Sequence, residues 1–193
     1  MTSSLRGFLA SVASLLIFLV LASHASAESW YQYKFDSRHS GDAPARQVKT
    51  PLRLAVAIPL GDGVYTSPVI AEDHLYIVDG SGGAFCIDTK SFRILWHRQT
   101  RGGKDNCNNV SSPAVIGNYL HFGTMAGYYY VLDRKTGKTI REIDCRDPIF
   151  SAPAVSEGRV YFVTLGSHVY ALEPDGQIAW KWDFVKEVLG FQG

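Results

Sequence analysis

The feature that most limits what this chain can fold into is a segment that occurs three times. Residues 67–96 (SPVIAEDHLYIVDGSGGAFCIDTKSFRILW) return 45 positions later as 112–141 (SPAVIGNYLHFGTMAGYYYVLDRKTGKTIR) and a further 40 positions on as 152–180 (APAVSEGRVYFVTLGSHVYALEPDGQIAW), the last copy one residue shorter. A period of this size makes each copy one supersecondary unit whose apolar face is buried only by its neighbours. The repeat therefore decides the architecture before any local motif is considered.

Inside each copy, short alternating runs are separated by turn residues, and helical periodicity is absent from residue 28 onward. The first copy reads as strands at 68–71, 74–79, 84–88 and 93–99, with Gly80–Gly83 as a glycine-rich hairpin turn. Matching strands fall at 119–124, 128–133 and 138–143, then at 160–164, 168–173 and 177–184. Four short antiparallel strands every 40 to 45 residues is the layout of a β-propeller blade. The expected fold is all-β, a partial propeller of about three four-stranded blades at 67–100, 112–144 and 152–184. An irregular lead-in at 28–51, a lone strand at 52–60 with its loop to 66, and a tail at 185–193 complete the expected plan. Ten Tyr, ten Phe and four Trp among 193 residues suit such a strand-rich core. The formal charge of +1 and the pI near 7.7 argue against a non-specific polyanion binder.

Residues 1–27 belong to a different class of signal. Arg6 precedes an apolar run at 8–22, and Ala25-Ser26-Ala27 is the small-residue pattern that a signal peptidase cuts after. The expectation is a signal peptide and a periplasmic or secreted chain beginning at Glu28, with an uncleaved anchor as the alternative. No cysteine directly follows the apolar run, which disfavours a lipid anchor. Export would also permit disulfides.

At the third and fourth strands the units resemble the quinoprotein or PQQ-like propeller repeat, whose pattern is Ala-x-Asp-x-x-Thr-Gly-x-x-x-Trp. Cys86, Asp88, Ser91, Phe92 and Trp96 occupy its positions in the first copy; Val131, Asp133, Thr136, Gly137 and Arg141 in the second; Ala171, Glu173, Asp175, Gly176 and Trp180 in the third. The lead-in residues Trp30, Tyr31, Asp36, His39, Ser40 and Gly41 look like the segment ahead of the first blade in that family. Every position has a structural role. Asp88 and Asp133 close Asx-type turns, Gly137 and Gly176 reverse the chain, and Trp96 and Trp180 spread an apolar face against the adjoining blade. Phe92 for glycine and Arg141 for tryptophan depart from the pattern, and suggest that the first two blades pack less regularly than the third.

Ligands of the family sit near loops joining one blade's outer strand to the next blade's inner strand, at 60–66, 100–111 and 144–151 here. The resemblance thus nominates Asp62, Arg101, Asp105, Asn108, Asn109, Asp144, Arg146 and Asp147 as cofactor-binding residues, with Lys104 and Asn106 in the same loops. They could hold an anionic cofactor or a hard cation such as calcium; the alternative is that they are solvated loop residues. No catalytic or metal-ligating residue is assigned, because no HExxH, CxxC, GxSxG or P-loop occurs and the histidines, including His121 and His168, share no ligand spacing. Cys107 and Cys145 lie in equivalent loops and could form a disulfide, with Cys86 a buried thiol; all three could equally be isolated. Asn109-Val110-Ser111 is a glycosylation sequon if the source is eukaryotic.

Two functions from different classes follow. The first is an exported, non-catalytic module that binds or scaffolds a protein and needs no cofactor. The second is part of a quinoprotein dehydrogenase holding pyrroloquinoline quinone and calcium and oxidising alcohols or sugars. Such dehydrogenases carry more blades and an adjacent cysteine pair, both missing here, which favours the first. Carbohydrate binding through Tyr128, Tyr129 and Tyr130 is a third reading. Neither nucleic acid nor a stable membrane span after signal cleavage is expected. Three units cannot close a ring of about four to eight blades, so the expectation is a fragment of a longer propeller or an assembly of copies.

Overall fold

In the computed structural model, which describes residues 29–43, 48–102 and 108–190, the three copies form three separate four-stranded antiparallel sheets. Blade one comprises β1 (Val69–Ala71), β2 (His74–Val78), β3 (Gly83–Asp88) and β4 (Ile94–Gln99). Blade two comprises β5 (Ala114–Ile116), β6 (Tyr119–Gly123), β7 (Tyr128–Asp133) and β8 (Thr139–Asp144). Blade three comprises β9 (Ala154–Ser156), β10 (Arg159–Val163), β11 (His168–Leu172) and β12 (Ile178–Asp183), followed by a short helix α1 (Phe184–Leu189). Each is a meander in sequence order, as hairpin connections of a few residues require. The expected signal peptide lies outside the described residues, as do Asp105 and Cys107 of the candidate residues.

The cores lie between blades. Strand β7 shows why: successive side chains point to opposite faces, so Tyr130 and Leu132 join the cluster shared with Tyr76, Val78 and Cys86 of blade one, while Tyr129 and Val131 join Phe162, Tyr170 and Leu172 of blade three. Tyr129 stacks on Phe162 with ring centres 3.9 Å apart. Tyr129 and Tyr130 are buried and Tyr128 packs against the first core, so the three tyrosines are core and offer no exposed carbohydrate platform.

Lateral packing follows a rule at the fourth-strand position. The Trp96 ring lies against Gly137, where an added Cβ would stand 2.7 Å away, and its indole donates to the Arg134 carbonyl at 3.0 Å. Arg141 takes the same place one blade on: its stem covers Gly176 and its Nε donates to the Asp175 carbonyl at 3.3 Å. Phe92 adopts a φ of 57°, the left-handed conformation that glycine would otherwise supply. The expected irregularity of the first two blades is thus absent. Register shifts fall at the equivalent points Cys86/Ile87, Val131/Leu132 and Ala171/Leu172 in all three.

One other expectation is corrected. Residues 52–60 form no strand: Leu52 and Leu54 are 72% and 86% exposed, and no sheet edge within the described residues pairs with them. Val56, Ile58, Leu60 and Val64 instead face Leu75, Ile77 and Ile87 of blade one across a cleft of about 430 Å³. After β12 the chain turns into helix α1 because Asp183 caps it, accepting from the Lys186 amide at 3.0 Å, and Gly190 ends it at a φ of 68°.

Candidate functional site

The inner strands β1, β5 and β9 are the edges nearest the propeller axis, and an unpaired edge exposes a row of backbone donors and acceptors. The lead-in covers them. Trp30 exchanges both backbone hydrogen bonds with Ile70 (2.6 and 2.9 Å), the Tyr31 carbonyl accepts from Val115 N (2.7 Å), and the Gln32 amide brackets Val155, accepting at 2.7 Å and donating at 3.3 Å. Ile70, Val115 and Val155 are the same position in the three repeats. Three consecutive lead-in residues therefore tie one blade each. Beside them Trp30, Tyr33, Lys34, Ser67, Pro68 and Ile70 line a cleft of about 470 Å³.

Meander topology places the interblade loops on one face with the turns after β2, β6 and β10, here the loop face. Several of the described candidates are engaged within their own loops. Asp62 accepts from the Gly63 amide at 2.7 Å and Asp144 from the Arg146 amide at 3.0 Å, each within its own loop. Arg101 pairs with Glu142 at 2.8 Å and lies 5.5 Å from the Tyr128 ring centre. Asn108 and Arg146 hold positive φ angles of 64° and 61°, and Asn108 is exposed. Asn109 is fully buried, which also closes its sequon to glycan attachment in the folded chain. Cys145 is a buried thiol whose pKa burial raises to about 11, and the bridge to Cys107 that the sequence allowed falls outside the described residues.

Asp147 sits in a larger array. Its Oδ2 lies 3.0 Å from His168 Nδ1 and accepts from Thr164 Oγ1 at 3.4 Å, while His168 Nε2 stands 3.4 Å from Asp183 Oδ2. A Cβ on Gly166 would overlap this carboxylate, so the glycine makes room for it. The Lys186 amide holds Asp183 below the usual carboxylate range. This array fastens a loop, a strand and a helix start together, and no hydroxyl or thiol is set against the imidazole as a nucleophile. Among the described residues no three His, Cys, Asp or Glu side chains are grouped to hold a metal ion.

A quinone with calcium, which the repeat resemblance implies, needs converging oxygen ligands and a flat slot near the axis. Asp62 and Asp144 accept from amides of their own loops, Arg101 pairs with Glu142, and Trp30, Tyr31 and Gln32 occupy the axial edges, an arrangement of the described residues that does not fit that group.

Sequence reasoning missed what the loop face does share. Tyr65, Val110 and Phe150 hold one repeat position and are 60%, 37% and 41% exposed. Large apolar side chains thus project from every interblade loop. The signal was available in the repeat alignment, since a large apolar residue recurs at one position of three loops.

Residues 53–142 and 108–190 match a PQQ-repeat family model described as outer membrane protein assembly factor BamB. Two curated relatives carry that name: one from Legionella pneumophila, 29% identical over 52% of the chain and 25% of the relative, and one from Shewanella oneidensis, 24% identical over 55% of the chain and 38% of the relative. The chain therefore spans well under half the length of either. Among solved structures, a europium-containing methanol dehydrogenase aligns with a TM-score of 0.68 at 18% identity, covering 79% of the chain and 31% of that enzyme. BamB from Moraxella catarrhalis aligns at 0.54 and 17%, covering 62% and 38%. These likenesses establish the propeller-blade fold.

Proposed function

We propose that this chain, which belongs to the PQQ-repeat family described as outer membrane protein assembly factor BamB, is a non-catalytic propeller module that docks onto another protein by its loop face. The observation that carries the reading is the row Tyr65, Val110 and Phe150, an exposed apolar side chain at the same repeat position of three loops on a single face. Aromatic and apolar residues projecting from loops on a rigid sheet scaffold are what protein partners bury. The names of the relatives point to a partner in the assembly of outer membrane proteins, and so to a periplasmic location after removal of residues 1–27. Further blades, in the same polypeptide or in an assembly, belong to this reading.

Photo-crosslinking groups at positions 65 and 150 of the full chain in its native envelope test it, with position 135 on the opposite face as control. One protein captured from both loop-face positions, absent from the control and lost when Val110 becomes Ser, supports the role. Equal capture from both faces, or none from the loop face, would overturn it. A quinone-dependent thermal shift in calcium buffer would instead favour the dehydrogenase reading.

A further inference from the structure

We infer that the junction of blades one and two holds a small hard cation between the Asp79 carboxylate and the Asn109 side-chain carbonyl. Asp79 follows β2 and is 1% exposed. Its Oδ1 accepts from Ser81 N, Ser81 Oγ and Gly83 N at 3.1, 2.8 and 2.8 Å, which closes the turn. Its Oδ2 is buried with no hydrogen-bond partner. The equivalent residues of the other blades are Thr124 and Thr164. Thr124 closes its turn with one hydroxyl, bonding the Tyr128 carbonyl at 2.9 Å and amide at 3.2 Å. A hydroxyl therefore suffices there, and Asp79 adds a charge and an oxygen that the turn does not use.

The second orphan belongs to a residue whose backbone is tied to the same turn. The Asn109 backbone donates to the carbonyl of Gly80, the residue after Asp79, at 2.9 Å, and its side chain is 0% exposed with neither amide atom bonded. Its repeat counterpart at the next junction is Ile149, also 0% exposed. An apolar residue thus fills that slot where threonine stands at the turn, and an amide fills it where aspartate does.

Buried carboxylate and amide groups without partners are costly, and native structures rarely keep two together. A cation gives partners to the Asp79 Oδ2 and Asn109 Oδ1 oxygens and leaves the Asn109 amide nitrogen to donate to water, and oxygen donors of this kind select calcium, magnesium or sodium over softer metals. Space beside Oδ2 is kept by glycine: a Cβ at Gly61 would lie 3.0 Å from it and one at Gly83 3.2 Å. One carboxylate and one amide leave the remaining coordination to water and main-chain carbonyls. The inference goes beyond the docking role, and it is tested without any partner protein.

The full chain is stripped with EDTA, and its melting temperature and calorimetric titration are followed with calcium, magnesium or sodium chloride at matched ionic strength. One of these should bind at one equivalent and raise the midpoint by about 5 °C at saturation. Asp79→Thr with Asn109→Ile installs the residues of the neighbouring blades, and should abolish the rise. No rise with any of the three salts, or an equal rise in the double variant, would overturn the site. If that variant does not fold, Asn109→Asp decides: added charge should tighten binding at least about tenfold, and unchanged affinity overturns the site.

Discussion

His121 shows how a single buried group sets the acid limit of this protein. It is fully buried between blades two and three, with Nε2 2.8 Å from the Pro174 carbonyl and Nδ1 3.4 Å from the Tyr129 hydroxyl. Burial lowers its pKa from 6.5 to about 4, so the ring is neutral when folded and takes a proton more readily when unfolded. Its contribution is complete above pH 6.5 and is lost as pH falls from 6.5 towards 4, a change of about 3 kcal/mol. Urea midpoints at pH 7.5 and 5 should differ markedly in the wild type and much less in His121→Gln, which keeps a donor for Pro174. Gly137 offers a second test at this scale. An added methyl there meets the Trp96 ring at 2.7 Å and a φ of +68°, whereas Gly158 has a φ of +77° with nothing within 4 Å. Gly137→Ala should cost about 2–4 kcal/mol and Gly158→Ala about 1 kcal/mol by chemical denaturation, the difference being overpacking. None of this was legible from spacing: His121 reads as one of several scattered histidines until blade three is folded over it.

At the level of elements, the strands were legible because hydrophobic alternation and glycine turns repeat three times, so each copy checks the others. Residues 52–60 were misread for the same reason in reverse, since an apolar run announces burial but not which strand will pair with it. The lead-in carried no period, and its hydrogen bonds to three inner strands depend on a geometry that exists only once the blades are side by side. Gln32→Ala removes two hydrogen bonds to Val155 and should lower stability by about 1–3 kcal/mol. Hydrogen exchange provides the sharper reading: amide protection at Val155 should fall in this variant while that of Tyr170 in β11 persists. Strand β11 is held by its own ladder to β10, where Phe162 pairs with Tyr170, and needs no lead-in contact.

The whole molecule presents one blade face that nothing within the described residues covers. Val163, Trp180 and Trp182 are 45%, 43% and 40% exposed on blade three, where blades one and two bury apolar surface against a neighbour. Trp180 stands at the position from which Trp96 reaches the next blade's glycine, and an open apolar face of this kind invites association. The isolated chain should therefore gain mass with concentration in sedimentation equilibrium, and Trp180→Ser with Trp182→Ser should return it towards a monomer. An unchanged mass in that pair would place the association elsewhere. The repeat made the number of blades readable, but what meets an outer blade is a property of surfaces and was not. The lead-in adds a constraint of another kind. A row of similar blades, each touching only its neighbours, would melt and grow piece by piece. The bond from Gln32 to Val155 spans 123 residues and joins the start of the described chain to its third blade. Folding of such a chain can begin in any blade but is completed only when the third arrives to receive the lead-in, so the row acts as one cooperative body and its last step is the slowest to find.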